Sequence, residues 1–280
     1  MIKSEKLRGN LGLVLTYLFL IVMMVAAVFP ALWIFGSSLN PGDSLFSTSI
    51  IPERATWVHY KELFTEMDFP IWFWNSIKVG LSTSALVLLL CMFTAYAFSR
   101  FDFYGRKSGL MTILVLQMFP GMMSMVAIYV VLNMIGLLDT HLGLILIYAG
   151  GAVPYQSWLM KGYFDTLPRS LEEAAIIDGA SRWTVLWRIL VPLSLPIISV
   201  VAIFNFVAPF GDYLLARLIL TSPEKWTLAV GLYDFISGQF GKHFTQFAAG
   251  AVLAALPITI LYLLLQNLLI SGLTQGSTKG

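Results

Sequence analysis

KGYFDTLPRSLEEAAIIDGASRWTVLWRILVPLSLP, residues 161–196, is a polar, turn-bearing segment set between two apolar runs. Ser170 with Glu173 three residues later forms a capping-box pair, in which each side chain satisfies a backbone N–H left open at a helix start. A short helix is predicted from there. Gly179 can take the left-handed conformation that ends a helix, and Ser181 can cap a second helix running to the residue before Pro192. The expectation is a helix-turn-helix whose Ala174 and Ala175 leave one surface bare enough for another backbone to approach closely. An ordinary amphipathic helix lying in a membrane interface fits the same spacing.

The surroundings of this segment are apolar. A helix crossing about 30 Å of hydrocarbon needs about 20 mostly apolar residues, and runs near 11–36, 74–98, 109–132, 141–160, 193–216 and 245–270 qualify. The run 11–36 follows Lys3, Lys6 and Arg8 as a signal peptide would, but it exceeds an h-region in length and is read as a retained span. An even number of spans places both termini on one side. The segments on that side hold Lys3, Lys6, Arg8, Arg100, Arg106, Lys107, Lys161, Arg169, Arg182, Arg188 and Lys279, which points to the cytoplasm. The opposite side holds fewer basic residues, mostly in longer loops. Trp33, Trp57, Trp72 and Trp74 fall near the predicted interfaces, and residues 37–73 read as a folded external loop punctuated by Pro41, Pro52 and Pro70.

Composition agrees. The 280 residues are 58% hydrophobic and 11% charged, with a mean hydropathy of +0.81, whereas soluble domains average about 25% charged residues. The fold class expected is an all-α membrane protein of six transmembrane helices in one domain over 1–280. A net charge of +2 with dispersed basic residues argues against a nucleic-acid partner. A lone Cys91 permits neither an intrachain disulfide nor a paired-thiolate metal site. No GxxxxGK loop is present for nucleotide; the nearest decoy, Gly241-Lys242, lacks the upstream glycine and precedes His243. His59, His141 and His243 lack metal-ligand spacing, so no metal site and no catalytic constellation are expected. Glu172 and Glu173 diverge by roughly 100° on a helix and read as solvated or contact residues rather than an acid–base pair.

The run Glu173-Ala174-Ala175, with Gly179, Ile189 and then Val191-Pro192, resembles the EAA loop of bacterial binding-protein-dependent ABC transporter permeases, Val191 standing where that family usually has Leu. NSIKVG (75–80), TAYAFSR (94–100), LQMFPG (116–121), the segment 160–180, FAAGAVLAALPITI (247–260) and the ending SGLTQGSTKG are similar to the MalG-type sugar permeases. The resemblance implies the type I importer permease fold, with a cytoplasmic EAA coupling loop at 161–192 and a C-terminal tail at 271–280. By it, Glu172, Glu173, Ala174, Ala175, Asp178 and Gly179 would couple to a separate ATPase, and Gln275 and Gly276 would reach toward the ATPase dimer. It implies a second, MalF-like permease, two copies of the ATP-binding subunit, an extracytoplasmic sugar-binding protein, and a place in a bacterial plasma membrane. The chain itself would be no enzyme and hold no cofactor, ATP and Mg residing in the partner. Maltose or maltodextrin is the substrate the resemblance suggests first, with galactan-derived oligosaccharides next.

Polar groups inside a membrane usually face a partner helix or a wet pathway. Asn205, Pro209, Gly211 and Asp212 interrupt the fifth span, which is therefore expected to line the translocation path; bonding of Asn205 to a neighbouring helix is the plainer alternative. An ion-coupled secondary transporter would instead require internal repeats and midplane ionisable residues, and neither is evident.

Overall fold

The computed structural model describes residues 2–42, 52, 54–118, 121–237 and 243–275, and the described residues are helical with no strand. Among the described residues three helices are long and apolar enough to cross a membrane, within 12–38, 69–100 and 244–269; counting two bent pairs as one span each brings the number to five. The chain divides into two compact units, residues 1–67 with 234–253 and residues 68–233 with 254–280.

In the first unit, α1 (Ile2–Ser38) leaves its side chains from Leu13 to Leu32 exposed. An apolar surface that continuous is one that lipid or another protein covers. The short α2 (Val58–Thr65) is pinned by the buried His59, whose ring nitrogens bond Glu62 at 3.1 Å and the Asn40 carbonyl at 2.8 Å. Gln246, in the first turn of α13 (Phe244–Gln275), donates to the same Glu62 carboxylate at 3.0 Å.

The second unit is built on α3 (Phe69–Arg100), packed along α6 (His141–Thr166) and α10 (Leu195–Gly211). Its apolar side chains form two clusters. Cys91, Ala95, Met160, Phe164, Leu186 and Val201 lie in one, toward the C-terminal end of α3. Val79, Leu132, Leu144, Ile219 and Val230 lie in the other. Cys91 is a packing residue whose thiol donates to the Val153 carbonyl at 3.6 Å. Trp72 departs from an interfacial reading: it is buried, with its indole N–H on the Pro223 carbonyl at 3.1 Å, because the turn at Pro223–Lys225 folds over the start of α3. Trp57 and Trp74 are exposed.

Close approach of α3 to α10 depends on Gly80. A Cβ there would stand 2.8 Å from the Phe206 carbonyl oxygen, a backbone atom that can move only with its helix. Gly80→Ala is expected to destabilise by about 1–3 kcal/mol through overpacking, read as a lowered midpoint of thermal unfolding in detergent. An unchanged midpoint would show that α10 shifts freely.

Between α3 and α6 lie α4 (Arg106–Leu116) and α5 (Gly121–Met134), one of the two bent pairs. The other consists of residues Arg182–Leu193 and α10, bent by 79° at Ser194. The first of these is α8 (Arg182–Val185), a π-helical turn (Leu186–Leu190) and α9 (Val191–Leu193). A stop before Pro192 is therefore corrected. The turn widens so that the Val191 N–H reaches back five residues to the Leu186 carbonyl, which lets the helix pass a proline that offers no N–H of its own. Two further helices follow, α11 (Leu214–Ile219) and α12 (Leu228–Ser237).

Candidate functional site

The segment after α6 folds as two helices about a tight turn. Leu167, held extended (φ −77°, ψ 132°) by the proline that follows it, ends α6, and Pro168 (φ −60°, ψ 124°) opens α7 (Arg169–Ile177). Ser170 is thus the second residue of the helix rather than its cap, and the expected capping box does not form; the Pro168 carbonyl instead accepts from the Leu171 N–H at 3.3 Å. The far end of α7 matches expectation. Gly179 has φ +88°, its N–H bonds the Ile176 carbonyl at 3.0 Å, and the Ala180 N–H bonds the Ala175 carbonyl at 2.9 Å. These two bonds make a Schellman turn. Ser181 then caps α8, its hydroxyl oxygen accepting from the Thr184 N–H at 3.1 Å.

The two glutamates of α7 part company, and the reading of both as solvated or contact residues is corrected for one of them. Glu173 is exposed, but Glu172 is buried and pairs with Arg100, Nε to Oε1 at 2.5 Å. Both side chains of the pair are under 10% exposed. Arg100 Nη2 also donates to the Phe164 carbonyl at 2.9 Å, and Nη1 to the Ser99 hydroxyl oxygen at 2.7 Å. Ser99 in turn donates to Asp165 at 2.5 Å, and Lys161 closes on the same carboxylate. Burial alone would raise the Asp165 carboxyl, but the bonds from Lys161 and Ser99 outweigh it and hold it below the ordinary value. One arginine therefore ties the end of α3 to the end of α6 and to the hairpin.

With Glu172 locked inward, Ala175 faces the cluster beneath it. The outer face carries Leu171, Glu173, Ala174, Ile177 and Asp178, all exposed, with Ile177 at 85%. The alanines thus split, Ala174 outward and Ala175 half-buried. The second helix is anchored separately, by Tyr96 donating to the Arg182 carbonyl at 3.1 Å and Phe93 stacking on Trp183 at 5.6 Å. Arg100 and Ile177 were not singled out by the sequence as site residues; a basic residue ending a long apolar helix was the signal for the first.

At the opposite end of α3, Asp139 (φ +55°) gathers four donors: the N–H groups of Thr221 and Ser222, the Ser222 hydroxyl, and Lys225 at 2.7 Å. Burial acts to raise its carboxyl, yet these bonds hold it well below the usual range. His141 bonds the Lys225 carbonyl at 2.8 Å and Asn75 the Glu224 carbonyl at 2.9 Å, so both residues serve this knot.

Of the residues expected along the path, Asn205 and Pro209 are buried. The Asn205 amide donates to the Val201 carbonyl of its own helix at 2.7 Å. Gly211 ends α10, and Asp212 (φ −90°, ψ 107°) breaks the chain away from it. Asp212 accepts from the Tyr148 hydroxyl at 2.7 Å and from the Leu215 N–H at 3.2 Å, and it lines a cavity of about 570 Å³ between α5, α6 and α11. Gln275 is the last residue of α13, and Gly276 lies outside the described residues.

Residues 88–275 match the family model described as binding-protein-dependent transport system inner membrane component. The chain is 45% identical to the galactooligosaccharides transport system permease protein GanQ of Bacillus subtilis over the full length of both. It is 43% identical to the maltodextrin permease protein MdxG of the same organism, covering 96% of this chain and 97% of that one. It is 39% identical to the maltose/maltodextrin permease protein MalG of Escherichia coli, covering 99% and 98%. Its fold is similar to a chain of a bacterial ABC transporter involved in the import of the acidic polysaccharide alginate, with a TM-score of 0.79 at 22% identity over 91% of this chain and 95% of that one. A second structure, of a bacterial alginate ABC transporter in complex with alginate pentasaccharide-bound periplasmic protein, gives 0.60 at 17% identity over 90% of each.

Proposed function

The chain belongs to the binding-protein-dependent transport system inner membrane component family, and from that premise we propose that it is one transmembrane half of an ATP-driven importer of oligosaccharides. The observation that carries the reading is the α7–α8 hairpin: its inner face is fixed by Arg100–Glu172, while its outer face offers Glu173, Ala174, Ile177 and Asp178 to something outside the chain. The occupant is a separate ATPase, present in two copies and binding ATP and Mg. Its closure on ATP moves the hairpin, and Gly179 keeps the turn tight enough to transmit the movement. The tail at Gln275 and Gly276 makes a second contact with the ATPase.

In this reading the chain is one permease domain over 1–280 that spans a bacterial plasma membrane six times with both termini in the cytoplasm. The fourth of these spans lies in α6, where residues 141–160 extend about 30 Å at 1.5 Å per residue, their apolarity diluted by Gly150, Gly151, Gln156 and Ser157. A second, MalF-like permease faces it, and a sugar-loaded binding protein delivers substrate from outside. The second half of α10, with Asn205, Pro209 and Gly211, and Asp212 just beyond its end border the path. Names of the relatives support galacto-oligosaccharides and maltodextrins as substrates.

Affinity purification of the chain from its own membranes in mild detergent, with mass spectrometry of stoichiometric companions, tests the proposal. Recovery of an ATP-binding subunit and a second permease is expected, and ATP hydrolysis by that complex should rise with sugar-loaded binding protein. A chain that runs alone yet transports sugar would overturn the reading in favour of a secondary transporter.

A further inference from the structure

The cavity beside Asp212 has a chemistry of its own. It is lined by Asp212, Tyr148, Ser124, Gly150 and Gly151 together with apolar residues that include Met125. A carboxylate within a predicted span is costly unless it faces a partner or water. Among the described residues its partners are a hydroxyl and an amide, not a cation. An ionised carboxylate offers about four acceptor sites, of which Tyr148 and Leu215 take two. Tyr148, its proton committed to Asp212, can only accept from a third group. Ser124 likewise gives its proton to the Gly121 carbonyl, at 2.7 Å. Three polar side chains thus converge on the cavity, and all of them present acceptors.

We infer that this cavity is a subsite for an uncharged, polyhydroxylated ligand, a neutral sugar ring that donates its hydroxyls to Asp212, Tyr148 and Ser124 on its way through the membrane. The ligand must be rich in O–H donors because Asp212, Tyr148 and Ser124 have no proton left to give. It must be uncharged or cationic, because a uronate would meet the Asp212 carboxylate. Gly150 and Gly151 keep the opening wide: a Cβ at either would meet nothing within 4 Å. The subsite rests on the importer reading and adds to it a ligand class and the residues that select it.

The test uses the complete importer in proteoliposomes, with its binding protein loaded with maltotriose or galactotriose, and measures initial uptake against the concentration of loaded binding protein. Asp212→Asn keeps the shape and the bond from the Leu215 N–H, but its NH2 stands where one oxygen accepted from Tyr148, so that bond reverses and the wall gains donors where it had acceptors. Maximal uptake should fall about tenfold, while the half-saturating concentration of binding protein, which docks outside the cavity, stays put. Gly150→Leu has room to fold and places its side chain in the opening, so it should block uptake. Uptake within twofold of wild type in both Asp212→Asn and Gly150→Leu overturns the subsite while leaving the importer intact. A wild-type complex that hydrolyses ATP but takes up neither sugar overturns the importer reading, and the subsite with it.

Discussion

Arg100→Leu and Glu172→Leu, each made alone, are expected to destabilise the chain and to weaken capture of the ATPase, while the double substitution recovers much of the stability. The pair is buried on both sides and joined at 2.5 Å, so removing either partner leaves the other charge without water or counter-charge. Losses of that kind run to about 3–5 kcal/mol, whereas replacing both members of a buried pair with apolar groups is often neutral. Arg100 is the more damaging single loss, because it also serves the carbonyl at Phe164 and the hydroxyl of Ser99. Thermal unfolding in detergent reads the stability, and co-purified ATPase reads the hairpin's position. Recovered stability without recovered ATPase in the double variant would show that the ion pair aims α7 as well as holding it. Strictly additive losses would sink the argument, since they would mean that the two residues do not act through each other.

This pair also marks the limit of what could be read beforehand. The local signals around it were legible: Gly179 as a left-handed stop and Ser181 as a cap are properties of a few neighbouring residues, and the structure has both where their chemistry places them, whereas of the six apolar runs three are single helices long and apolar enough to span among the described residues. The capping box at Ser170 and Glu173 was equally local and failed, because the cap falls at Pro168, two residues earlier. Glu172 was misread for a different reason. On the hairpin alone nothing separates it from Glu173; what draws it inward is an arginine 72 residues earlier in the chain. Asp139 is similar, since its donors at 221–225 come from another turn altogether. The cavity beside Asp212 was half visible. A carboxylate in an apolar span pointed to a wet surface, but its partner Tyr148 looked like any other aromatic residue of α6 until the helices were assembled.

Gly179→Val is expected to leave the membrane helices in place and uncouple transport. The residue sits at φ +88° with open space where a Cβ would go, so the penalty comes from the backbone and not from a clash. Left-handed geometry costs an L-residue roughly 1–2 kcal/mol, and a β-branched side chain tolerates it worst. That strain falls on a turn closed by the bonds from Gly179 to Ile176 and from Ala180 to Ala175. Relaxing it would swing Ile177 and Asp178, the exposed end of the outer face, away from α8, while the buried Arg100–Glu172 pair keeps the start of α7 in position. Expression and thermal stability should therefore change little, and the stimulation of ATP hydrolysis by sugar-loaded binding protein should be lost. Gly179→Asn supplies the control, because asparagine enters the left-handed region far more readily than valine and should retain most of the uptake. Normal uptake in Gly179→Val would mean that the turn transmits nothing, and equal loss in both variants would mean that the outer face, rather than the backbone, rejects any side chain at this position.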